Sequence, residues 1–299
     1  MNLRPGRLFL WTALVLISAV GSDLFGQAGV GKPLHTLWSI QGKSNTVYFL
    51  GSIHLMKANA YPLPQAVEDA FARCSVVAFE TDIAAASDLK TQMSLLAKGA
   101  CDPGKTLKDY ISKETYDLIR RHADESGVPM MILDGFKPWM AALTLATFDL
   151  VKGGFDPELG IDRHFNALAV KSGKKIVALE SMEKQISLFT TMAEKDQEAM
   201  IKETVEDSKK WKTMIDDIVA AWRIGDVAAL KKLVAESIEK YPDLHKKLLI
   251  DRNTSWLEKI EELFKGGKDA MVIVGSAHLV GKDSVLDLLR KRGFTAKQL

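Results

Sequence analysis

The sequence is short of the features that usually announce a function. Neither sign of charge is in excess: 40 Lys and Arg face 38 Asp and Glu, a formal net charge of +2. No basic face therefore asks for nucleic acid, or for an anionic membrane surface, as the main partner. The basic stretches Lys209, Lys210 and Lys212, and Lys231 and Lys232, read as solvated helix faces. No H-E-x-x-H helix announces a metallopeptidase, and no G-x-S-x-G elbow announces a serine hydrolase. Low-complexity tracts and fixed-period repeats are also missing, which excludes solenoid and propeller architectures. Cysteine is scarce, with two in the chain. What remains is an apolar fraction of 47%, enough for a compact core at this length.

Long hydrophobic runs are absent too, and the one at the N-terminus is informative because of its length. Arg4 and Arg7 precede LFLWTALVLISAV, 13 residues from Leu8 to Val20, followed by small and flexible GSDLFGQAGVGK. A membrane-spanning helix needs ~18–20 apolar residues. Basic start, short apolar run and small residues are the order of a signal peptide. Residues 1–28 are thus expected to direct export, with membrane association through an uncleaved anchor as the alternative, and residues 29–299 to form the mature domain. Cleavage after Ser22 or Ala28 suits the small-residue rule, and neither site is a clean A-x-A. In an oxidising compartment Cys74 and Cys101 are candidates for a disulfide, although spacing alone does not show that they meet.

Along the mature chain, HTLWSIQGKSNTVYFLGS predicts a hairpin turning at Gly42 to Asn45. YPLPQAVEDAFARC predicts a helix started by Pro64, and VVAFETD a buried strand. The order strand, helix, strand is that of a parallel crossover. SKETYDLIRRHADESGVP predicts a helix from Ser112 to Gly127. KPWMAALTLATFDLVKGG is apolar round most of its circumference and reads as a helix buried between others. A helix capped by Gly173 then leads into the strand KKIVALE. From Ser181 to Gly267 the pattern is almost wholly helical, broken at Gly225–Asp226 and at Tyr241–Pro242, and its placement suggests a cap that selects substrate. DAMVIVG is a further strand, SVLDLLRKRG a helix and FTAKQL an edge strand. The fold class expected is α/β, a mixed sheet flanked by helices, with residues 181–267 a helical insertion before the last core strand.

Four apolar runs end on chemistry. VYFLGSIHLM closes on His54, VVAFE on Glu80, IVALE on Glu180 and MVIVGSAHLV on His278. Open α/β sheets place their functional residues beyond the carboxyl ends of the strands. A Gly three positions before each His removes a side chain where the chain leaves the sheet. Two imidazoles and one or two carboxylates suit a divalent metal (Mn, Co, Zn or Fe). A carboxylate outside the metal serves as acid or base. The bland alternative keeps each His as a satisfied structural residue and each Glu as a salt-bridge partner. Ser52 and Ser276 read as turn-forming or supporting hydrogen bonders. His35, His122, His164 and His245 read as surface or packing residues, with His164 in GIDRHF closest in setting to the others.

These residues resemble the TraB/GumN family, which also takes in the pheromone-shutdown protein PrgY and the animal Tiki proteins. The likeness runs from LWSIQGKSNTVYFLGSIHL to VGSAHLVGKDSVLDLLRKRGF. It is carried by the G-x-x-H runs ending at His54 and His278, by Glu80, by GIDRHF with Asp162, by ALES with Glu180, and by DRNTSW with Arg252 and Asn253. The resemblance implies an α/β fold with a mixed sheet and, from the Tiki branch, a metal-dependent peptidase. It makes His54, Glu80 and His278 candidate metal ligands and Glu180 and Arg252 candidate catalytic residues, with Asp162, Asn253, Ser52 and Ser276 placed towards substrate. For Arg252 two readings stay open: donation to an oxyanion, or an ion pair with Glu80 or Glu180 that positions the carboxylate. The implied protein acts outside the cytoplasm on a peptide or another envelope substrate. The alternatives are a non-catalytic peptide- or metal-binding envelope protein and an accessory factor in envelope polysaccharide production.

Overall fold

The computed structural model describes residues 34–86, 88–240 and 245–299. The expected export segment and the break at Tyr241–Pro242 lie outside the described residues, as do the side chains of Lys209, Lys210 and Lys212. Lys231 and Lys232 are exposed, as solvated helix residues should be. No helix among the described residues is long and apolar enough to cross a membrane.

Local signals set the elements. β1 (Leu37–Gln41) and β2 (Thr46–Ser52) make the expected antiparallel hairpin, in register from Leu37 opposite Leu50 to Gln41 opposite Thr46. α1 (Gln65–Arg73) begins after Pro64, whose fixed φ suits a helix start, and β3 (Val76–Phe79) follows. α2 (Ile83–Ala86) precedes α3 (Leu89–Gly99), where the Asp88 carboxylate accepts from the N–H groups of Lys90 and Thr91. α4 (Lys113–Ser126) opens on the Ser112 hydroxyl and closes on Gly127 at φ 76°, a left-handed cap that glycine adopts without strain. After α5 (Met130–Asp134) come α6 (Pro138–Lys152), α7 (Ile161–Lys171), β4 (Lys175–Ala178), α8 (Met182–Thr190) and α9 (Glu194–Glu206). α10 (Ser208–Arg223) and α11 (Val227–Lys240) meet at the expected Gly225–Asp226 break. A π-helical turn, Lys246–Ile250, runs into α12 (Asp251–Lys265), and β5 (Ala270–Gly275), α13 (Val285–Lys291) and β6 (Ala296–Gln298) finish the chain.

The chain divides into two compact units. One is built on the sheet and takes, among the described residues, 34–81, Asp156–Glu180 and the part from Thr213 to Leu299. Its strand order is β4-β3-β5-β2-β1-β6, and the first four are mutually parallel. β1 is antiparallel to both β2 and β6, so the sheet is mixed, as expected, and FTAKQL is its edge strand. β2 and β3 are parallel strands of one sheet, but they are not neighbours: β5, from the far end of the chain, is inserted between them.

β2 turns Val47 and Phe49 to one face, where they meet Val272 and Val274 of β5 and the stripe Trp256, Leu257, Ile260 and Phe264 of α12. That stripe has helical spacing, and each fully buried side chain of this kind contributes about 1.5–3 kcal/mol. α12 is therefore bound to the sheet by its apolar face, while Arg252 in its first turn reaches the strand-end residues Glu80, Glu180 and His278. The helical pattern in the sequence shows the apolar stripe but not the surface it packs on.

The second unit holds Asp82–Phe155 and Ser181–Lys212 and is helical. α6 is buried on most sides, as its composition predicts, and Trp139 stacks on Phe189 of α8 with ring centres 5.8 Å apart. Glu198 of α9 accepts from the Ser112 backbone N–H at 2.9 Å and the Thr115 hydroxyl at 2.7 Å, fixing the start of α4. Trp139 and Met140 of α6 are core. Both cysteines are free thiols. Burial raises the pKa of Cys74 to about 12, so it has no thiolate chemistry near neutral pH.

Candidate functional site

The parallel strands bring their carboxyl ends side by side, and the register sets Ser52 opposite Gly275. The two Gly-Ser-x-His runs, distant in sequence, are thus adjacent in the sheet. Gly51 is required there: a Cβ would lie 2.6 Å from Thr36 Cγ2 and 2.7 Å from Ser276 Oγ. Its carbonyl accepts from Trp222 Nε1 at 2.6 Å. The Ser276 hydroxyl donates to the Ser52 carbonyl at 3.0 Å, while the Ser52 hydroxyl is buried with no hydrogen-bond partner among the described residues.

His54 leaves β2 and meets the start of α7. The Ile161 N–H donates to the Ile53 carbonyl at 3.0 Å, and a Cβ at Gly160 would lie 2.3 Å from the His54 carbonyl oxygen. That close approach brings Asp162 Oδ2 to 3.1 Å from His54 Nδ1. Burial pushes the imidazole pKa down, but the carboxylates of Asp162 and then Glu80 outweigh it and raise it to about 9. His54 is an imidazolium at neutral pH.

Glu80, just past β3, accepts the Gly275 N–H on Oε1 at 2.7 Å and Arg252 Nη2 on Oε2 at 2.5 Å. Burial would raise its pKa. Arg252, His278, His54 and the Gly275 N–H together hold it well below the usual carboxylate range. Glu180, past β4, accepts Arg252 Nε at 2.8 Å and Nη2 at 2.6 Å on Oε1, and Trp256 Nε1 at 3.2 Å on Oε2. Arg252 Nη1 donates to the Leu248 carbonyl of the π-helical turn at 3.0 Å. Burial pushes the guanidinium pKa down and the two glutamates, which win, push it up. Its flat face lies 4.8 Å from the Trp256 ring centre.

His278 follows β5 and has both nitrogens engaged. Nδ1 lies 2.6 Å from Asn253 Oδ1, and Asn253 Nδ2 donates to the Asp283 carbonyl at 3.0 Å. That second bond fixes which end of the amide faces the ring. Nδ1–H is accordingly the donor, and Nε2 accepts from Arg252 Nη1 at 3.1 Å. Burial first, then the charges of Arg252 and His54, lower the His278 pKa to about 3 despite Glu80. One histidine of the pair is charged and the other neutral, an assignment made by their neighbours and not by their matching motifs.

The sequence-selected residues His54, Glu80, Asp162, Glu180, Arg252, Asn253 and His278 are therefore brought together in one network of the sheet unit. They differ in access. The side chains of His54 and Asp162 are 20% and 17% exposed, against 7% or less for Glu80, Arg252, Glu180 and His278. The His54–Asp162 end of the network is the more exposed one. Asn253 stands behind His278, and Ser276 stitches strand ends. Arg252 makes both ion pairs that the sequence allowed, one with each glutamate. Trp256 was not singled out, although its place four residues after Arg252 on a helix puts the two on one face. Gly275, expected to let another group come close where the chain leaves the sheet, is approached by Glu80 Oε1, which accepts its N–H at 2.7 Å. His164 lies apart, 3.4 Å from Glu68 and 5.1 Å between ring centres from Tyr61, and His122 pairs with Asp149 at 2.7 Å.

Among the described residues no group of three or more His, Cys, Asp and Glu side chains is arranged to hold a metal ion. At this rim the physical reason is Arg252. Both imidazole Nε2 atoms lie near Glu80 Oε1, at 3.9 Å for His54 and 3.8 Å for His278. However, the guanidinium occupies the His278 Nε2 lone pair and Glu80 Oε2. As they stand, the three candidate ligands do not fit an ion.

A sequence model of the TraB/PrgY/gumN family matches residues 36–298. An uncharacterized protein of Treponema pallidum (strain Nichols) is 22% identical over 274 residues, covering 85% of this chain and 80% of its own. Metalloprotease TIKI1 of Homo sapiens is 20% identical over 354 aligned positions, covering 97% of this chain and 68% of its own. No solved structure is a significant match.

Proposed function

Because the chain belongs to the TraB/PrgY/gumN family, we propose that it is a hydrolase, acting outside the cytoplasm on peptide bonds, whose reactive end is the His54–Asp162 pair. The observation that carries this is an accessible imidazole held by one carboxylate, in front of a buried second one. Hydrolysis of an amide needs a group to take a proton from the attacking water and a group to give one to the leaving nitrogen. His54, charged at neutral pH, is the giver, and Asp162 fixes its ring through Nδ1. Asp162, the more exposed carboxylate, is the acceptor, while Glu80, with its oxygens engaged by the Gly275 N–H and Arg252, faces both imidazoles and sustains the charge on His54. Arg252 does not touch substrate in this scheme; it keeps Glu80 ionised and in place.

The likeness to Metalloprotease TIKI1 supports a peptide as substrate and brings metal dependence as a further proposal. A bound Mn, Co, Zn or Fe ion supplies Lewis acidity and an activated water. The donors here do not close round one as they stand, and the steps above use none. The N-terminal order of basic residues, apolar run and small residues supports export.

A second reading, a non-catalytic binding protein of the envelope, is favoured by one observation: Arg252, Glu180, Asn253 and His278 satisfy one another almost completely. The test is turnover. Purified protein is incubated with a mixed peptide pool between about pH 6 and 9, beside a His54→Gln variant, and new termini are read by mass spectrometry. Cleavage by the wild type alone supports the hydrolase. No cleavage by either, with equal melting temperatures, leaves the binding protein.

A further inference from the structure

His54 stands in a stretch that belongs to no regular element. β2 ends at Ser52, and an isolated bridge at Met56 and the single turn Ala58–Ala60 are all that follow before α1. A proton-transferring group on such a stretch needs support from elsewhere, since an error of about 1 Å in its place costs up to ~10²-fold in rate. The approach to α7 gives part of that support. Met56 pairs with Asp156, and the Ile161 N–H donates to the Ile53 carbonyl at 3.0 Å.

α10 adds a second set of contacts, before and after the imidazole. Three residues before His54, the Gly51 carbonyl accepts from Trp222 Nε1 at 2.6 Å. Three residues after it, Lys57 forms an ion pair with Asp216, and five after it the Asn59 carbonyl accepts from Arg223 Nη1 at 2.9 Å. Asp216 and Arg223 are seven positions apart, about two helical turns, and so share a face. All three grips come from one rigid helix. That helix is in turn tied to the edge of the sheet: the Thr36 hydroxyl donates to the Trp222 carbonyl at 2.9 Å, and the Gln298 amide of β6 donates to the Gly225 and His35 carbonyls, each at 2.9 Å. A Cβ at Gly225 would lie 2.6 Å from the Leu34 carbonyl carbon, so the approach is closed to a larger residue.

We infer that α10 is a positioning element for the proton-transferring end of the site: Trp222, Asp216 and Arg223 hold the chain on both sides of His54 and so fix its imidazole against Asp162. None of the three touches the reacting atoms. Only the role given to His54 rests on the hydrolytic reading; the place of its ring is read without substrate, so the two fail separately.

The experiment uses the full chain, ¹³C-labelled at histidine, at one neutral pH, with the His54 ring signal assigned by its loss in His54→Gln. Trp222 is buried and is left alone. Asp216 is 45% exposed and Arg223 lies at the surface, so both can be changed without opening the core. Asp216→Asn and Arg223→Gln are each expected to move the His54 signal, and the double variant to broaden it. His278, held by Asn253 and Arg252, is expected to keep its own. Asp217→Asn removes the same charge from an exposed neighbour and is expected to leave His54 in place. Asp216→Glu keeps the carboxylate and is expected to restore most of the shift. With peptide, the double variant is expected to lose at least about tenfold in kcat with KM within about twofold. A His54 signal unmoved in both single variants, or moved as far by Asp217→Asn, overturns the inference, and so does a moved signal with kcat unchanged. A wild type without turnover defeats the hydrolytic reading and leaves the ring signal to decide the positioning one.

Discussion

The Ser276 hydroxyl donates to the Ser52 carbonyl at 3.0 Å, so the second Gly-Ser-x-His run is tied to the first across the ends of two neighbouring strands. The matched motifs are one device: each glycine lets its strand end come close to another group, and each histidine enters the same network from its own strand.

His54 and Asp162 form the accessible part of that network. His54→Gln and Asp162→Asn are expected to lower any peptide turnover by roughly 10²–10⁴-fold, the usual contribution of a proton-transferring side chain. Both should keep most of the wild-type melting temperature, because neither is fully buried. In a ¹H–¹⁵N imidazole titration, Asp162→Asn should bring the His54 midpoint down from about 9; an unchanged midpoint would falsify the assignment of Asp162 as the group that holds the charge.

Stability should fall on both sides of about pH 6.5, where an unfolded histidine titrates. His54 is raised to about 9 in the fold, so its contribution is complete below 6.5 and is lost as pH rises through 9. His278 is lowered to about 3, so the unfolded chain binds a proton that the fold refuses, and stability is lost as pH falls from 6.5 towards 3. Each limb has a limiting slope of about 1.4 kcal/mol per pH unit. Urea unfolding across this range checks it: His54→Gln should flatten the alkaline limb and His278→Asn the acid one.

Arg252→Ala should be among the most damaging single substitutions in the sheet unit, costing about 3–5 kcal/mol, because the buried Glu80 and Glu180 lose the cation they share. Arg252→Lys should rescue this only in part, since an ammonium cannot serve both glutamates and the Leu248 carbonyl from one fork. Equilibrium unfolding of the two variants, compared with Glu180→Gln, gives the ranking.

Asn253 sets the His278 tautomer. Asn253→Ala should cost about 1–3 kcal/mol for an orphaned buried N–H. The ¹⁵N shifts of the His278 ring should then lose their single-tautomer pattern. A pattern identical to the wild type would show that Arg252 alone fixes the ring.

Gly275→Ala places a methyl group 3.3 Å from Glu80 Oε1. Glu80 and the imidazoles must give way, so ring resonances of His54 and His278 should move and turnover should drop. Thermal stability should change by no more than about 1 kcal/mol, the scale of a tight but adjustable contact. The size of the resonance shifts relative to the change in melting temperature is the measurement.

Much of this protein was legible in one dimension because the signals are local. The β1–β2 hairpin, the Ser112 and Gly127 ends of α4, the buried circumference of α6 and the strand ends at His54, Glu80, Glu180 and His278 follow from residue type and spacing, since caps, turns and alternation are decided within a few residues. The same chemistry marked the polar residues that end apolar runs.

The tertiary structure decided what lies beyond that range. It inserts β5 between β2 and β3, which alone makes the two histidine motifs neighbours. It lays α12 on the sheet, so that this helix carries Arg252, Asn253 and Trp256 to the strand ends. And it separates two histidines of one motif into a charged and a neutral member, because protonation is set by burial and by charges a few ångströms away, which sequence distance does not measure.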